Sequence, residues 1–356
     1  MKRKNLEVMF TLFLLGILLY TRLTIRASNP LWIDEINEIS HLKSLHYLIY
    51  EYLPSIPSGV LGHYVMLLPL NTFFPGNKFI LGLPGLISNL LVFLLIPTVI
   101  SRFNITSKNE TKIASLIARV CFVFDPRLAF QSMEIRPYSL LPILWILSLM
   151  LVTKIISYDD EHNKCLKNKN TFLLVMAVIF LWIWHIYGLV MFILTYLFFI
   201  LKTKLSKNII NLHYKSFMVI CISLFLFLPI WIYSAKGSAI SHLDTFEFFK
   251  NSTQAVNAAI NQGYIKGITW QNYIYFSLIV FFLITIIWAV FTKGSLYLSQ
   301  FLKILAFLVL MPVLTIFLLD FTSEYWFLYR QFAWVALPFY IAVGILVSGF
   351  RFKMLE

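Results

Sequence analysis

The chain has 356 residues, of which 60% are hydrophobic and 13% are charged, and its mean hydropathy is +0.81. A water-soluble enzyme of this length cannot be so apolar, so the composition predicts that lipid is the main solvent of the chain. The formal net charge of +13 does not indicate nucleic-acid binding, because the basic residues follow the pattern that orients membrane proteins.

Apolar segments long enough to cross a membrane recur along the chain, since a spanning helix needs about 20 apolar residues. Single spans are predicted at 8–25, 79–100, 113–130, 137–156, 216–234, 272–291, 301–319 and 331–348. The segment 171–201 is longer, and lysines flank it on both sides. Basic flanks belong on one side of the membrane, so this segment is predicted to cross twice, turning near His185. The sequence therefore predicts an all-α polytopic fold with about ten transmembrane helices and both termini in the cytoplasm.

The segment 60–74 is apolar but too short to span. If it crossed, every later loop would change sides and the lysine-rich loops would lie outside. We therefore predict a helix at the outer membrane surface, within a first external loop of residues 26–78. In this layout the cytoplasmic segments hold 18 of the 29 Lys and Arg residues, whereas the external segments hold nine. We interpret 1–356 as one transmembrane domain without a separate soluble domain, in a bacterial plasma membrane.

Asp34 and Glu35 form a pair of adjacent carboxylates in this first external loop. The whole chain has only 16 acidic residues, and charge close to a bilayer is costly unless it serves a purpose. The pair is a candidate for acid–base catalysis. The structural alternative is that Asp34 caps a surface helix.

Two further polar clusters lie in predicted external turns. The turn between the third and fourth spans carries Glu134, Arg136 and Tyr138, and Pro137 suits the first turn of the helix that follows. The start of the last span carries Arg330, together with acids and tyrosines just before it. Arginine forks on the same side of the membrane as carboxylates favour an anionic substrate held at that level. The structural alternatives are an ion pair at a helix end and a headgroup anchor.

The run FDPRLAFQSMEIRPYSL at 124–140, together with Asp34-Glu35, resembles the GT-C membrane glycosyltransferases. The similarity is greatest to the protein mannosyltransferase and aminoarabinose transferase (glycosyltransferase 39-like) group. Members commonly show an external Asp-Glu pair after the first span, a Glu-x-Arg-x-Tyr-type turn and a His-Tyr-Tyr-like turn, which His185-Ile186-Tyr187 resembles. Many also carry an arginine before the second span, where this chain has Gly82-Leu83-Pro84-Gly85 and Lys78 is the nearest cation.

The resemblance implies that a sugar moves from a polyprenyl-phosphate donor to a hydroxyl of a lipid, glycan or protein on the external face, with inversion. It implies that Asp34 is the base, that Glu35 positions it, and that cations stabilise the phosphate. The residues implied in donor-phosphate or substrate binding are Glu134, Arg136, Tyr138, Arg330, Lys78 and His185. No cofactor is indicated, since the three cysteines show no metal-site spacing, and the question of a divalent cation stays open.

Other functions are compatible with a polytopic chain. A transporter or a lipid-linked oligosaccharide flippase would require charged residues deep in several spans and helices broken at the midplane. An O-antigen polymerase or ligase would place its arginines in large external loops. A non-enzymatic assembly subunit is a further alternative. The concentration of charges in external turns favours chemistry at the membrane surface over a conduction path.

Overall fold

The computed structural model describes residues 3–31, 33–52, 61–103, 107–157, 172, 176, 179–181, 183–202, 218, 296–315 and 334–353. Every regular element within these ranges is a helix, and no strand occurs among them. The predicted all-α class is therefore confirmed for this part of the chain.

The first half of the chain folds into long helices and several shorter ones. In order they are α1 (Arg3–Ser28), α2 (Ile33–Ser40), α3 (Leu45–Tyr47, continued by the π-helix Leu48–Tyr52), α4 (Leu61–Phe73), α5 (Lys78–Arg102), α6 (Lys108–Phe124) and α7 (Pro126–Gln131). A 3₁₀ turn at Pro137–Leu140 leads into α8 (Leu141–Ser157). The later helices are α9 (Ile186–Lys202), α10 (Leu296–Ile304, continued by the π-helix Leu305–Leu310) and α11 (Ala336–Lys353).

In the part of the chain that the structure describes, four segments are long and apolar enough to cross a membrane, namely Asn5–Ser28, Lys78–Arg102, Pro137–Lys154 and Tyr297–Thr315. Two shorter apolar segments, Tyr187–Phe199 and Ala336–Gly349, accompany them. These helices are compatible with a membrane protein. The total of ten spans stays a prediction, because 216–234, apart from Met218, and 272–291 lie outside the described residues.

Local capping sets where the helices of the site begin and end. The Asn77 side chain accepts from the backbone N–H groups of Phe79 and Ile80, which starts α5. Asp125 ends α6, and its side chain caps α7. The prediction of one span over 113–130 was therefore wrong at its end, because an Asp-Pro step favours a new helix start over continuation.

Contacts at the helix ends show how the helices are directed. Lys112 Nζ lies 2.9 Å from a Glu7 carboxylate oxygen, and the Tyr297 hydroxyl donates to Glu110 over 2.6 Å, so α1, α6 and α10 start at the same end. Lys78 starts α5 at the opposite end and donates to Asn29, just past the end of α1. The segment 26–78 therefore leaves and re-enters the bundle at one end, as the prediction of a non-crossing helix at 60–74 requires.

The core of the bundle lies around α8. In the window Pro137–Lys154, 78% of the residues are buried, compared with 28% for Asn5–Ser28, whose exposed face is apolar. Helix α11 packs along α6, with Gly344 against the backbone of Ala114. A central helix surrounded by apolar outward faces is the arrangement expected of a bundle in lipid.

Candidate functional site at the polar end of the bundle

Helix α2 carries a pair of buried carboxylates, Glu35 and Glu38, which face different arginines. The Glu35 side chain is only 1% exposed. Its Oε1 accepts from Arg26 Nη1 over 2.8 Å and from the backbone N–H of Ile135 over 2.9 Å. Glu35 therefore ties three parts of the chain together, namely the end of α1, the start of α2 and the turn that carries Arg136.

Arg26 and Lys78 close the base of the first loop. Arg26 Nε donates to the Lys78 carbonyl over 3.0 Å, and Lys78 Nζ donates to the carbonyls of Ala27 and Asn29 over 3.2 and 3.0 Å. Those carbonyls lie at the C-terminus of α1, where cations are favourable. The geometry thus gives Lys78 a helix-capping role, whereas the sequence interpretation placed it at a phosphate.

Two glycines of α5 allow the turn after α7 to lie directly against that helix. A Cβ on Gly82 would lie 2.8 Å from the Met133 carbonyl oxygen, and one on Gly85 would lie 2.1 Å from that of Ser132. Neither position tolerates a side chain without backbone movement. The space beside these two glycines is occupied by the turn that leads to Arg136.

Arg136 contacts the second carboxylate of α2. Its Nη1 lies 2.5 Å from Glu38 Oε1, and the guanidinium carbon lies 5.7 Å from the centre of the Tyr138 ring. The other Glu38 oxygen accepts from the hydroxyl of Tyr64 on α4, and this hydroxyl lies 2.9 Å from that of Tyr52. The side chain of Arg136 is 15% exposed, so the group is held by protein but accessible from one side.

Both tyrosines of this chain of hydrogen bonds stay protonated at neutral pH. Burial first, and then the charge of Glu38, raise the pKa of Tyr64 well above its usual value. Burial also raises the pKa of Tyr52 to about 12. Tyr64 therefore donates to the Glu38 carboxylate, Tyr52 bonds to the Tyr64 hydroxyl, and neither tyrosine serves as a base.

Two buried imidazoles lie next to this group. Burial, and then the Arg136 charge, lower the pKa of His63 on α4 to about 3. Burial, and then His63 itself, lower the pKa of His185. His185 Nδ1 accepts from the backbone of Tyr187, and its ring centre lies 5.4 Å from that of Tyr138. The predicted turn at His185 thus meets the predicted Arg136–Tyr138 turn.

The other predicted site residues divide into buried and undescribed positions. Glu134 is buried in the turn itself, where its backbone N–H donates to the Gln131 carbonyl over 3.2 Å. Asp34 lies in α2 one helical turn before Glu38, and its side chain is outside the described residues. Arg330 also lies outside the described residues. Among the residues that the structure describes, no group of three or more His, Cys, Asp or Glu side chains could hold a metal ion.

The sequence analysis missed Glu38, Arg26 and Tyr64. Glu38 follows Glu35 by three residues, a spacing that places both on neighbouring parts of one helix face. Because acids are rare in this chain, that spacing was the available signal. Tyr64 carried no comparable signal, since its contact with Glu38 depends on how α4 packs.

Two buried charges below the site have structural partners. Arg22 donates to the carbonyls of Val123 and Phe122 over 2.7 and 3.0 Å, at the C-terminus of α6. Asp125 accepts from the hydroxyl of Tyr340 on α11 over 2.5 Å. Both side chains thus stabilise the helix ends beneath the site.

No family model matches the chain, and no curated protein or solved structure matches it either. The resemblance to the GT-C glycosyltransferases therefore depends on the motifs quoted above.

Proposed function

We propose that the polar end of the bundle is the active site of a GT-C-like membrane glycosyltransferase. The polar end comprises Arg26, Glu35, Glu38, Tyr64, Arg136 and His185. The observation that carries the proposal is that charged side chains from α1, α2 and the Arg136 turn meet at one end of an apolar bundle. Charge placed so close to a bilayer is costly, and in membrane proteins it commonly marks a functional site.

The proposed donor is a sugar linked to a polyprenyl phosphate, and the acceptor is a hydroxyl on a lipid, glycan or protein. The acceptor oxygen attacks the anomeric carbon, the bond from that carbon to the phosphate oxygen breaks, and the polyprenyl phosphate leaves with the electron pair. A single displacement inverts the anomeric centre. The proton of the acceptor hydroxyl passes to Asp34, which acts as general base.

Arg136 is the proposed phosphate ligand among the described residues. Its guanidinium offers a planar fork that suits phosphate oxygens, and it is partly accessible in an otherwise buried group. A fixed cation stabilises the charge that develops on the leaving phosphate. Arg330, at the start of the predicted last span, is the second proposed phosphate contact.

The buried polar residues do not favour a transporter. A conduction path requires polar groups along its length, whereas Arg22 and Asp125 bond to helix ends and to a tyrosine. Glu35 has a positioning role in this proposal, because both of its described bonds are to the protein.

The experiment measures transfer from a panel of radiolabelled polyprenyl-phosphate sugars by membranes that contain the protein. Asp34→Asn preserves the size of the side chain but removes the base, so the rate should fall by about 10²–10⁴-fold. Glu51→Gln is the matched control, because Glu51 is an exposed acid of the same loop and its loss should leave the rate unchanged. A fully active Asp34→Asn protein would refute the assigned base. A wild-type protein that transfers no sugar from any donor would refute the function.

A further inference from the structure

We propose that Glu38 and Tyr64 are positioning residues that hold the Arg136 guanidinium in one orientation toward the donor phosphate. The inference rests on the proposed function and deepens it. Glu38 uses one carboxylate oxygen for Arg136 and the other for the Tyr64 hydroxyl. Its two oxygens thus link the Arg136 turn to α4, which belongs to a distant part of the first loop.

Glu38 and Tyr64 are placed so that they can fix the orientation of a functional arginine. An arginine side chain loses considerable rotamer freedom when it is fixed, so a site with a pre-oriented guanidinium avoids that loss at the moment of binding. Glu38 is 7% exposed, and Tyr64 is 2% exposed. Water therefore has little access to the supporting bonds, while the Arg136 side chain that they hold is 15% exposed.

Glu38 has two effects on a bound phosphate, and they have opposite signs. Its hydrogen bond fixes the guanidinium, which favours turnover. Its negative charge also lowers the positive potential at Arg136, which weakens ground-state binding of an anion. Removal of the charge should therefore lower kcat without raising the donor KM, and loss of a merely structural contact has no reason to produce that combination.

Tyr64 is linked to Arg136 through Glu38, whose second oxygen accepts from the Tyr64 hydroxyl. Tyr64→Phe keeps the ring, which packs edge-on against Tyr52 at 5.1 Å between centres, and removes the hydroxyl. The carboxylate then loses a fixed partner and gains freedom to rotate. Because both residues act through the same contact, their effects should be non-additive.

The test measures kcat and donor KM for Glu38→Gln, Tyr64→Phe and the double variant. We expect kcat to fall by about 10- to 100-fold for Glu38→Gln and by about 2- to 10-fold for Tyr64→Phe. The donor KM of Glu38→Gln should stay equal or fall, and the double variant should resemble Glu38→Gln. Arg136→Lys should lower kcat at least as far as Glu38→Gln, because an ammonium lacks the fork. Glu51→Gln serves again as the control for loss of a loop carboxylate.

Wild-type kcat in both single variants would overturn the inference. A raised KM together with a lowered melting temperature would also overturn it, because it would show a structural role alone.

A binding measurement separates this inference from the proposed function. Polyprenyl phosphate without a sugar is titrated into the purified protein in detergent. Glu38→Gln should bind it more tightly than wild type, and Arg136→Ala should abolish that gain. If the wild-type protein transfers no sugar but Glu38→Gln binds polyprenyl phosphate more tightly than wild type, the positioning role of Glu38 and Tyr64 is supported while the proposed reaction is refuted. Equal affinity of wild type and Glu38→Gln would overturn the positioning pair, whatever the transfer assay gives.

Discussion

The buried ion pair between Arg26 and Glu35 should be the main contact that stabilises the polar end of the bundle. Glu35→Gln tests this prediction. The two side chains are 5% and 2% exposed, and the ion-pair distance is 2.8 Å. Glutamine keeps a carbonyl that can accept from Ile135, but it leaves the Arg26 charge buried without its counter-charge. Removal of one partner from a buried ion pair costs about 3–5 kcal/mol.

An exposed ion pair in the same molecule provides the control for this perturbation. Glu7 and Lys112 lie at the opposite end of the bundle over 2.9 Å, with side chains that are 45% and 46% exposed. Exposed pairs contribute about 0–1 kcal/mol. Glu7→Gln should therefore leave stability nearly unchanged, although it makes the same chemical change as Glu35→Gln.

The assay is denaturation of the purified protein in detergent, supported by limited proteolysis. Glu35→Gln should lower the melting temperature and speed proteolytic cleavage within 26–78, because the ion pair between Arg26 and Glu35 holds this loop against the bundle. The double variant Arg26→Gln with Glu35→Gln should recover part of the loss, because no charge is then left unpaired. If Glu35→Gln and Glu7→Gln lose the same stability, or if the double variant is worse than the sum of the singles, the reasoning is refuted.

Helix packing and a buried imidazole give two more measurable outcomes. Gly344→Ala should destabilise the bundle by about 1–3 kcal/mol, because its Cβ would lie 2.4 Å from the Ala114 carbonyl oxygen. Gly16→Ala, with nothing within 4 Å, should leave the melting temperature equal or higher, and similar losses in both variants would contradict the packing. Because the pKa of His63 is lowered to about 3, the unfolded chain takes up a proton below about pH 6.5 that the folded chain does not. The contribution of His63 to stability, present in full at neutral pH, should therefore fall by about 2 kcal/mol by about pH 5, and His185, whose pKa burial also lowers, should add to the same slope. In denaturation across pH, His63→Phe should reduce the slope without abolishing it, whereas an unchanged slope would show that His63 does not contribute.

The helices could be predicted from the sequence wherever the apolar pattern and the capping residues agreed. The predicted segment 79–100 lies within Lys78–Arg102, and the predicted surface helix 60–74 contains Leu61–Phe73. The end of the third span was missed because apolar residues resume at 128–130, although the polar step at Asp125-Pro126 indicates that the chain starts a new helix there. The apolar composition of a segment predicts that it is buried, but the position of a helix end depends on hydrogen bonds to a few specific groups.

The sequence grouped Glu35, Arg136, Tyr138 and His185 as candidate site residues through the resemblance to the GT-C glycosyltransferases, and the structure brings them to one end of the bundle. Their individual hydrogen bonds could not be predicted, because pairing depends on which face each helix turns inward. An ion pair between Glu134 and Arg136 was a structural alternative, and the structure shows that Arg136 contacts Glu38.

A continuous set of hydrogen bonds links the first loop to the Arg136 turn. The backbone N–H of Ile135 bonds to Glu35, and the next residue, Arg136, bonds to Glu38. Two consecutive residues of the turn are thus held by two carboxylates of one short helix, α2. That helix is fixed to α1 by Arg26, whose other bond is to the start of α5. A defect at Arg26 should therefore be transmitted to Arg136, although the two arginines lie 110 positions apart in the sequence. Arg26→Gln should consequently lower transfer even where the folded fraction is normal, and Glu35→Gln should do the same. Full transfer activity in folded Arg26→Gln protein would show that the Arg136 turn does not depend on Arg26.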